Sequence, residues 1–173
     1  MPAIESEFID AVLAPYRPEC KYLKSAYWER GGRHSNGKTS GLLGLHGTCA
    51  IGKPFYIKDT GHFNAVEFNL CYNQLMYCLV AVCARHKLLD VFSGWDFSEF
   101  QLRQLPDMVI AEFSSTFHKP MRSESFEGRI DIVQASITRQ GSIVLPTTCS
   151  FNDHNGGKAE GKVMMVILNR NRS

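Results

Sequence analysis

The chain contains 173 residues, of which 44% are hydrophobic and 21% are charged, and its net charge is +2 at pH 7. These values are typical of one globular domain and exclude a disordered chain. The small charge and the scattered basic residues give no indication of nucleic acid binding. The longest strongly apolar run, Leu75 to Ala84, is about half the length of a membrane span of ~20 residues. The amino terminus, MPAIESEFIDAV, is acidic and lacks the apolar core of a signal peptide, so we expect a cytoplasmic protein without a membrane span.

Cysteine usage leads to the same expectation. No C-x-x-C pair is present, so a structural zinc site of the finger type has no support. Half of the cysteines fall in the apolar helix described below, where a reduced cysteine behaves as a small hydrophobic side chain. We therefore expect free thiols in a reducing compartment, and neither a metal nor another cofactor. The six cysteines are Cys20, Cys49, Cys71, Cys78, Cys83 and Cys149.

In chain order, the first predicted element is a helix from Ile4 to Leu13, where apolar residues recur at helical spacing and stop before a proline. Together with a helical or turn-like piece around Pro18 to Leu23, it forms a predicted N-terminal extension over residues 1–24. In the short strand predicted from Phe55 to Lys58, side chains alternate between the two faces with a period of two, which would place Tyr56 and Lys58 on one face. The predicted strands of this region are Ser25 to Glu29, Gly41 to Ile51, and Phe55 to Lys58.

The most informative element is a helix predicted from about Val66 to Lys87, a stretch without proline or glycine. After Gln74 it has almost no polar stripe, and a helix that is apolar on all sides must be buried on all sides. We therefore predict an α+β fold in which an antiparallel sheet wraps round one long buried helix, within a single domain over residues 1–173. The strands predicted after the helix are Met108 to His118, Phe126 to Arg139, Ser142 to Phe151 and Lys158 to Leu168, with turns at Arg139-Gln140-Gly141 and Asn155-Gly156-Gly157.

A phosphate-loop pattern occurs from Gly32 to Thr39, which satisfies G-x-x-x-x-G-K-[ST]. Its chemistry requires a helix after the loop, because the first N–H groups of that helix hold the phosphates. The residues that follow, Ser40 to Gly47, contain three glycines and disfavour a helix, so we predict a hairpin loop that turns at Asn36-Gly37. His46 and Cys49 have the spacing of half a metal site. Residues three apart on a strand point to opposite faces, so we predict structural roles for both.

Polar residues cluster where the apolar helix begins. His62 and Asn64 precede the helix, Glu67 lies in its first turn, and Asn73 and Gln74 follow two turns later. One interpretation is capping alone, because asparagine followed three residues later by glutamate is typical of a capping box. The other is a binding or catalytic site, since the N–H groups and the positive dipole end of a helix start can polarise a carbonyl group.

At these residues the chain resembles the FcoT-like acyl thioesterases of the hot-dog superfamily. The resemblance covers most of the chain, and it implies a hot-dog fold, a homo-oligomer assembled through its sheets, and a long acyl chain bound against the central helix. It rests on Ala14-Pro15-Tyr16, Tyr22-Leu23, Phe55-Tyr56-Ile57, Gly61-His62-Phe63-Asn64-Ala65-Val66-Glu67, Asn73-Gln74, Gln104-Leu105-Pro106, Ser115-Thr116-Phe117, Lys119-Pro120 and Asn155-Gly156-Gly157.

The same resemblance implies a substrate site. The family's tyrosine in the Pro-Tyr element corresponds to Tyr16, its tyrosine before the glycine turn to Tyr56, and its asparagine in His-Phe-Asn to Asn64. His62 and Glu67 occupy matching positions. Some family members are implicated in isonitrile-lipid biosynthesis, where glycine is added to a 2-enoyl thioester on an acyl carrier protein. The implied partners are therefore an acyl carrier protein or coenzyme A thioester, and glycine.

Three functions stay open at this point. For glycine addition, His62 is the predicted base, with Glu67 as its orienting partner or as an alternative base. Lys58 is the predicted partner of the glycine carboxylate, while Tyr56, Asn64 and the helix-start N–H groups are predicted to bind the carbonyl oxygen. For hydrolysis, Glu67 would activate a water molecule, because the sequence shows no serine or cysteine in a recognisable triad. The third function is a non-catalytic acyl-binding domain.

Two further groups of residues complete the prediction. Asn73 and Gln74 are predicted to bind substrate together with Tyr16 and Tyr56. Four cations stand as candidates to meet an acidic carrier protein, although isolated surface cations are usually only solvated. These cations are Arg85, Lys87, Lys119 and Arg122.

Overall fold

The computed structural model describes residues 1–31, 41–58 and 60–170. The phosphate-loop pattern and its predicted turn lie outside these residues. The helices are α1 (Ser6–Val12), α2 (Ala65–His86) and α3 (Phe97–Arg103), with single 3-10 turns at Pro18–Cys20 and Asp90–Phe92. The strands are β1 (Leu23–Arg30), β2 (Leu43–Cys49), β3 (Met108–Lys119), β4 (Phe126–Ile132), β5 (Ser136–Ile137), β6 (Ile143–Asn152) and β7 (Lys158–Ile167).

Within the described residues, the strands form one antiparallel sheet in the order β1-β2-β4-β6-β7-β3, and β5 pairs with β6. The two predicted glycine turns join β5 to β6 and β6 to β7. Gly141 and Gly156 have φ values of 83° and 78°, which glycine adopts without the steric cost that other residues incur. The sheet is the larger part of the predicted α+β architecture.

The long helix α2 packs against this sheet and forms the centre of the core. Every side chain from Gln74 to Ala84 is buried, which confirms the prediction drawn from its apolar sequence. Gly47 on β2 lies opposite Gly128 on β4. A Cβ atom at either position would lie 2.7 or 2.9 Å from the Leu75 side chain. This pair of glycines therefore allows α2 to approach the sheet closely.

Two buried glutamines attach the N-terminal extension to the rest of the chain. Gln74 on α2 accepts two N–H groups and donates to one carbonyl of residues 20–23, at 2.9, 3.0 and 2.7 Å. Gln104, which follows α3, donates to the Val12 carbonyl at 2.8 Å. The end of α1 and the beginning of β1 are thus each fixed by a side-chain amide from the interior.

The predicted strand from Phe55 to Lys58 is wrong, because these residues lie in bends. Without a strand, the period of two no longer places Tyr56 and Lys58 on one face. The predicted strand from Phe126 to Arg139 is divided into β4 and β5. Opposite the break, Pro146 on β6 has no N–H to donate to the ladder, and its carbonyl accepts from Val133 at 2.8 Å.

The helix α3 is absent from the sequence-based prediction. Its signal is Asp96, whose side chain accepts the Glu99 N–H at 2.8 Å and caps the helix. In contrast, the prediction for His46 and Cys49 is confirmed: His46 stacks on Tyr27 at 4.6 Å, while Cys49 is fully buried on the other face of β2. No helix in the described part of the chain has both the length and the apolar character that a membrane crossing requires.

Candidate active site

The helix α2 begins with a capping box, as the sequence predicts. Asn64 Oδ1 accepts the N–H groups of Val66 at 2.9 Å and Glu67 at 3.3 Å, and Glu67 Oε2 accepts the Asn64 N–H at 3.2 Å. Two of the N–H groups predicted to serve a substrate carbonyl are therefore already occupied. The Ala65 N–H makes no hydrogen bond to the described residues, so it is still able to donate.

The Tyr56 side chain reaches this capping box from the preceding loop. Its hydroxyl accepts a hydrogen bond from Asn64 Nδ2 at 2.7 Å. Its single proton faces two acceptors, Asn64 Oδ1 at 3.0 Å and Glu67 Oε1 at 3.4 Å. Burial, and after it the negative charge of Glu67, raise the pKa of Tyr56, so the phenol stays protonated at neutral pH and can act as a donor.

Glu67 is fully buried although it lies in the first turn of the helix. Oε1 faces the Tyr56 hydroxyl and Oε2 accepts the Asn64 N–H. A buried carboxylate is tolerated only where hydrogen bonds replace its hydration. This arrangement suits a carboxylate that orients Tyr56 and Asn64 better than one that receives a proton from solvent or substrate.

His62 is exposed at the entrance to the same site. Its Nδ1 lies 3.0 Å from the Thr60 carbonyl oxygen. Because a carbonyl oxygen only accepts, Nδ1 carries the proton, and in the neutral ring the lone pair is on Nε2. The ring is therefore oriented by the Thr60 backbone rather than by Glu67, and its basic nitrogen is the one directed away from that backbone.

An open cavity of about 620 Å³ lies beside these groups and is lined by Gly61 to Ala65, Phe117 and Pro120. It brings His62, Asn64 and Ala65 to one surface. Asn64 Nδ2 donates only to Tyr56 among the described residues, so its second proton is free for a ligand. Phe117 and Pro120 were not predicted as site residues, although both fall within motifs that carried the family resemblance.

The wall behind the cavity is aromatic. Phe63 is buried between the two polar residues that flank it, with its ring centroid 4.8 Å from that of Phe126 and 5.4 Å from that of Phe151. Its N–H donates to the Met121 carbonyl at 2.9 Å. Anchoring Phe63 in the core therefore fixes the directions of His62 and Asn64 on either side of it.

The other predicted site residues are more dispersed. Lys58 is exposed and makes no hydrogen bond or ion pair with the described residues. Asn73 donates to Asn69 at 2.8 Å, one turn earlier on α2. Gln74 is fully buried and hydrogen-bonded to the N-terminal extension. Neither of these two amides joins the group formed by Tyr56, Asn64 and Glu67.

Tyr16 lies further along α2, with its ring centroid 6.4 Å from that of Tyr77. Burial is the main cause that raises the pKa of Tyr16, followed by the neighbouring Tyr77, Cys71 and Cys20. Tyr16 therefore lies beside the middle of α2 rather than at its beginning.

The four candidate cations divide into two pairs. Arg85 pairs with Glu5 at 3.0 Å and lies with Lys87 at the far end of α2, about 30 Å from the cavity at 1.5 Å per residue. Lys119 and Arg122 flank Pro120, which lines the cavity. The second pair is therefore the one nearer to the cavity in sequence, and Lys119 Nζ donates to the Asn155 carbonyl at 3.1 Å.

The FcoT-like thioesterase domain matches residues 11–167 of this chain. The chain belongs to this family. Similar proteins include two named (2E)-enoyl-ACP glycyltransferase. The one from Streptomyces coeruleorubidus is 34% identical over 171 residues, which cover 95% of this chain and 98% of that protein. The one from Mycobacterium tuberculosis strain H37Rv is 33% identical over 169 residues, which cover 96% of this chain and 88% of that protein.

Among solved structures, that of a candidate thioesterase from Shewanella oneidensis superposes with a TM-score of 0.55, at 9% identity, over 95% of this chain and 100% of that one. This likeness concerns the fold alone. Together with the match to the FcoT-like family, it confirms the predicted hot-dog fold, in which α2 is the central helix. The roles of the individual site residues stay predictions.

Proposed function

We propose that this protein is an enzyme that adds glycine to a 2-enoyl thioester carried by an acyl carrier protein. The observation that carries the proposal is that His62, Asn64 and Ala65 line one cavity, because these residues can supply a base and two donors. The names of the relatives at 33–34% identity support the same reaction. A binding module would not need this base.

In the proposed reaction, His62 Nε2 removes a proton from the ammonium group of glycine. The free amine attacks C3 of the enoyl group, so that a C–N bond forms and the π electrons move through C2 to the thioester oxygen. The Asn64 amide and the Ala65 N–H donate to this enolate oxygen, and the Tyr56 hydroxyl is a third donor in reach of Asn64. His62 returns its proton to C2. The net result is addition of glycine across the double bond, and nothing leaves.

The glycine carboxylate requires a cation or hydroxyl partner, and Lys58 stays our candidate for it. Lys58 is two residues from Tyr56, and its ammonium group is exposed and not engaged by the described residues. Tyr16, Asn73 and Gln74 belong to the proposal as residues of the acyl-binding half of the site, with Gln74 acting through the backbone of residues 20–23 that it holds.

Hydrolysis of an acyl thioester is the second candidate. The description of the family as thioesterase-like favours it, and the same donors would stabilise a tetrahedral oxyanion. Glu67 is poorly suited to be the base that activates water, because it is buried and both of its oxygens face protein donors. Oε1 faces the Tyr56 hydroxyl, and Oε2 accepts the Asn64 N–H.

The experiment that separates these functions supplies the protein with a 2-enoyl-acyl carrier protein and glycine, and weighs the intact carrier by mass spectrometry. A gain of one glycine is the expected result. Loss of the acyl group from the carrier would show that the enzyme hydrolyses the thioester instead. An acyl carrier protein that keeps its mass but stays bound to the protein would support the acyl-binding function. The same enoyl group presented on coenzyme A, at equal concentration, tests whether the carrier protein is required.

The proposal also includes a homo-oligomer in a reducing cytoplasm. Among the described strands, β3 pairs only with β7, so its outer edge offers unpaired backbone groups to a second copy. All six cysteines are free and buried, as expected where thiols stay reduced. Light scattering on the purified protein measures its oligomeric state. A monomer at all concentrations would contradict the proposed homo-oligomer.

A further inference from the structure

A residue outside the predicted site, Thr60, makes two hydrogen bonds with His62. The Thr60 carbonyl oxygen accepts from His62 Nδ1 at 3.0 Å, and the Thr60 hydroxyl donates to the His62 carbonyl oxygen at 2.9 Å. The two bonds run in opposite directions between the same two residues. They therefore restrain the imidazole ring and the backbone that carries it at the same time.

Gly61, between these two residues, allows the chain to bend so that both bonds form. Its φ is 73°, in the left-handed region that glycine adopts without the steric cost that other residues incur. A Cβ atom on Gly61 would meet nothing within 4 Å among the described residues. The glycine is therefore required for the direction of the backbone and not for space, and this direction brings the Thr60 carbonyl to the imidazole ring.

The next residue anchors the same segment to the core. Phe63 is 2% exposed, and its N–H donates to the Met121 carbonyl at 2.9 Å. His62 thus lies between a buried neighbour and the two bonds to Thr60, although its own side chain is exposed. Held on both sides, the exposed ring keeps its place at the cavity that His62 lines.

The group that orients His62 is uncharged, in contrast to the partners of two other histidines. His46 Nε2 lies 3.1 Å from Glu29 Oε1, and His118 Nε2 lies 2.9 Å from Glu160 Oε1. A carboxylate partner favours the protonated imidazole. The proposed addition requires a base that takes a proton from glycine and then returns it to C2. A ring that is oriented by a carbonyl oxygen has its direction fixed without a full negative charge that would retain the proton.

We propose that Thr60 is a positioning residue for His62. Its carbonyl keeps the proton of the neutral ring on Nδ1, and its hydroxyl holds the two residues together. Nε2 is thereby left as the basic nitrogen for the substrate. The inference rests on the proposed function for the role of His62 as the base, and it assigns the orientation of this base to Thr60 rather than to a carboxylate.

The kinetic test compares Thr60→Val, which removes the hydroxyl and keeps the branched side chain, with Thr60→Ser, which keeps the hydroxyl. We expect Thr60→Val to lower kcat for glycine addition by roughly three- to tenfold, the change that one hydrogen bond can produce. The KM for the acyl thioester and the melting temperature should stay nearly unchanged, because Thr60 is exposed. Thr60→Ser should keep the kcat of the wild type. Thr48→Val is the matched control, since its hydroxyl donates to Glu127 at 3.2 Å on the neighbouring strand, and it should also keep that kcat.

The tautomer of His62 is measured directly in the ligand-free protein by nitrogen NMR, at a pH where the ring is neutral. The His62 signals are assigned by their loss in His62→Gln. The Nδ1–H form is expected in the wild type and in Thr60→Ser, and a shift toward the Nε2–H form is expected in Thr60→Val.

An Nε2–H ring in the wild type would overturn the inference, as would a Thr60→Val protein with the kcat or the tautomer of the wild type. A Thr60→Ser protein as slow as Thr60→Val would also overturn it, because the hydroxyl would then not be the group that matters. If the wild type adds no glycine, the proposed function fails, while the NMR comparison still decides whether Thr60 sets the tautomer of His62.

Discussion

The double role of Asn64, as helix cap and as donor in the candidate site, leads to the sharpest prediction. Its Oδ1 caps α2 by accepting two N–H groups, while its Nδ2 donates to Tyr56 and carries the proton assigned to the substrate. Alanine at this position removes both functions. Serine caps a helix as well as asparagine does, but it has no amide to reach Tyr56 or the cavity.

Removal of the cap has a calculable cost. Replacement of an asparagine N-cap by alanine lowers the free energy of unfolding by about 1 kcal/mol. For a domain of this size, that loss corresponds to a decrease in melting temperature of about 2–4 °C. Asn64→Ala also removes one donor to a developing oxyanion. Loss of such a donor lowers the rate of the reaction by roughly 10²–10³.

The assay measures melting temperature and rate of glycine addition for Asn64→Ala and Asn64→Ser side by side. We expect serine to restore the melting temperature and to leave the rate as low as with alanine. If serine restores both, Asn64 acts only as a cap, and the assignment of its amide to the substrate oxygen is refuted. If neither variant loses activity, the cavity beside α2 is not the site of reaction.

Four further predictions concern other parts of the molecule. His62→Ala is expected to lower the rate of glycine addition by about 10²–10⁴, the usual contribution of a general base; an unchanged rate would remove His62 from that role. Lys58→Ala is expected to raise the KM for glycine with the KM for the acyl thioester unchanged, and an equal rise in both would point to a different partner for the carboxylate. The N–H of Arg122, followed by two N–H groups of the adjacent turn, holds the pKa of Asp153 below its usual value of 3.8. Since a depressed carboxyl pKa contributes stability above the unfolded value that is lost as the pH falls through the folded one, Asp153→Asn should melt with a shallower decline below about pH 4 than the wild type, and parallel curves would contradict this. Finally, burial raises the pKa of thiols such as Cys78, and all six cysteines are buried, so a thiol reagent is expected to label the native protein slowly and the unfolded protein rapidly; rapid labelling of the native protein would show that the core opens.

The beginning of α2 could be predicted from the sequence because its determinants are local. Asn64 and Glu67 are three residues apart and bond to each other across one turn, and the apolar residues after Gln74 require burial on every side. The glycine turns at Gly141 and Gly156 depend in the same way on adjacent residues. Each of these predictions is confirmed.

The segment around Tyr56 could not be predicted in the same way. Its aromatic and β-branched residues favour a strand, but a strand requires a neighbour to pair with, and local composition does not supply one. Tyr56 instead bonds through its side chain to residues eight and eleven positions later. The partners of Gln74 are more than fifty residues away, so its role as an anchor of the extension depends on the whole fold.

That anchoring has a consequence for folding during synthesis. The extension leaves the ribosome before the amides that fix it, which are separated from it by 52 residues in the case of Tyr22 and Gln74 and by 92 residues in the case of Val12 and Gln104. The nascent extension therefore has to wait, without its final partners, until most of α2 and α3 has been made. Contacts between such distant residues form late and slowly. The extension is thus synthesised before its partners and is among the last segments to become fixed.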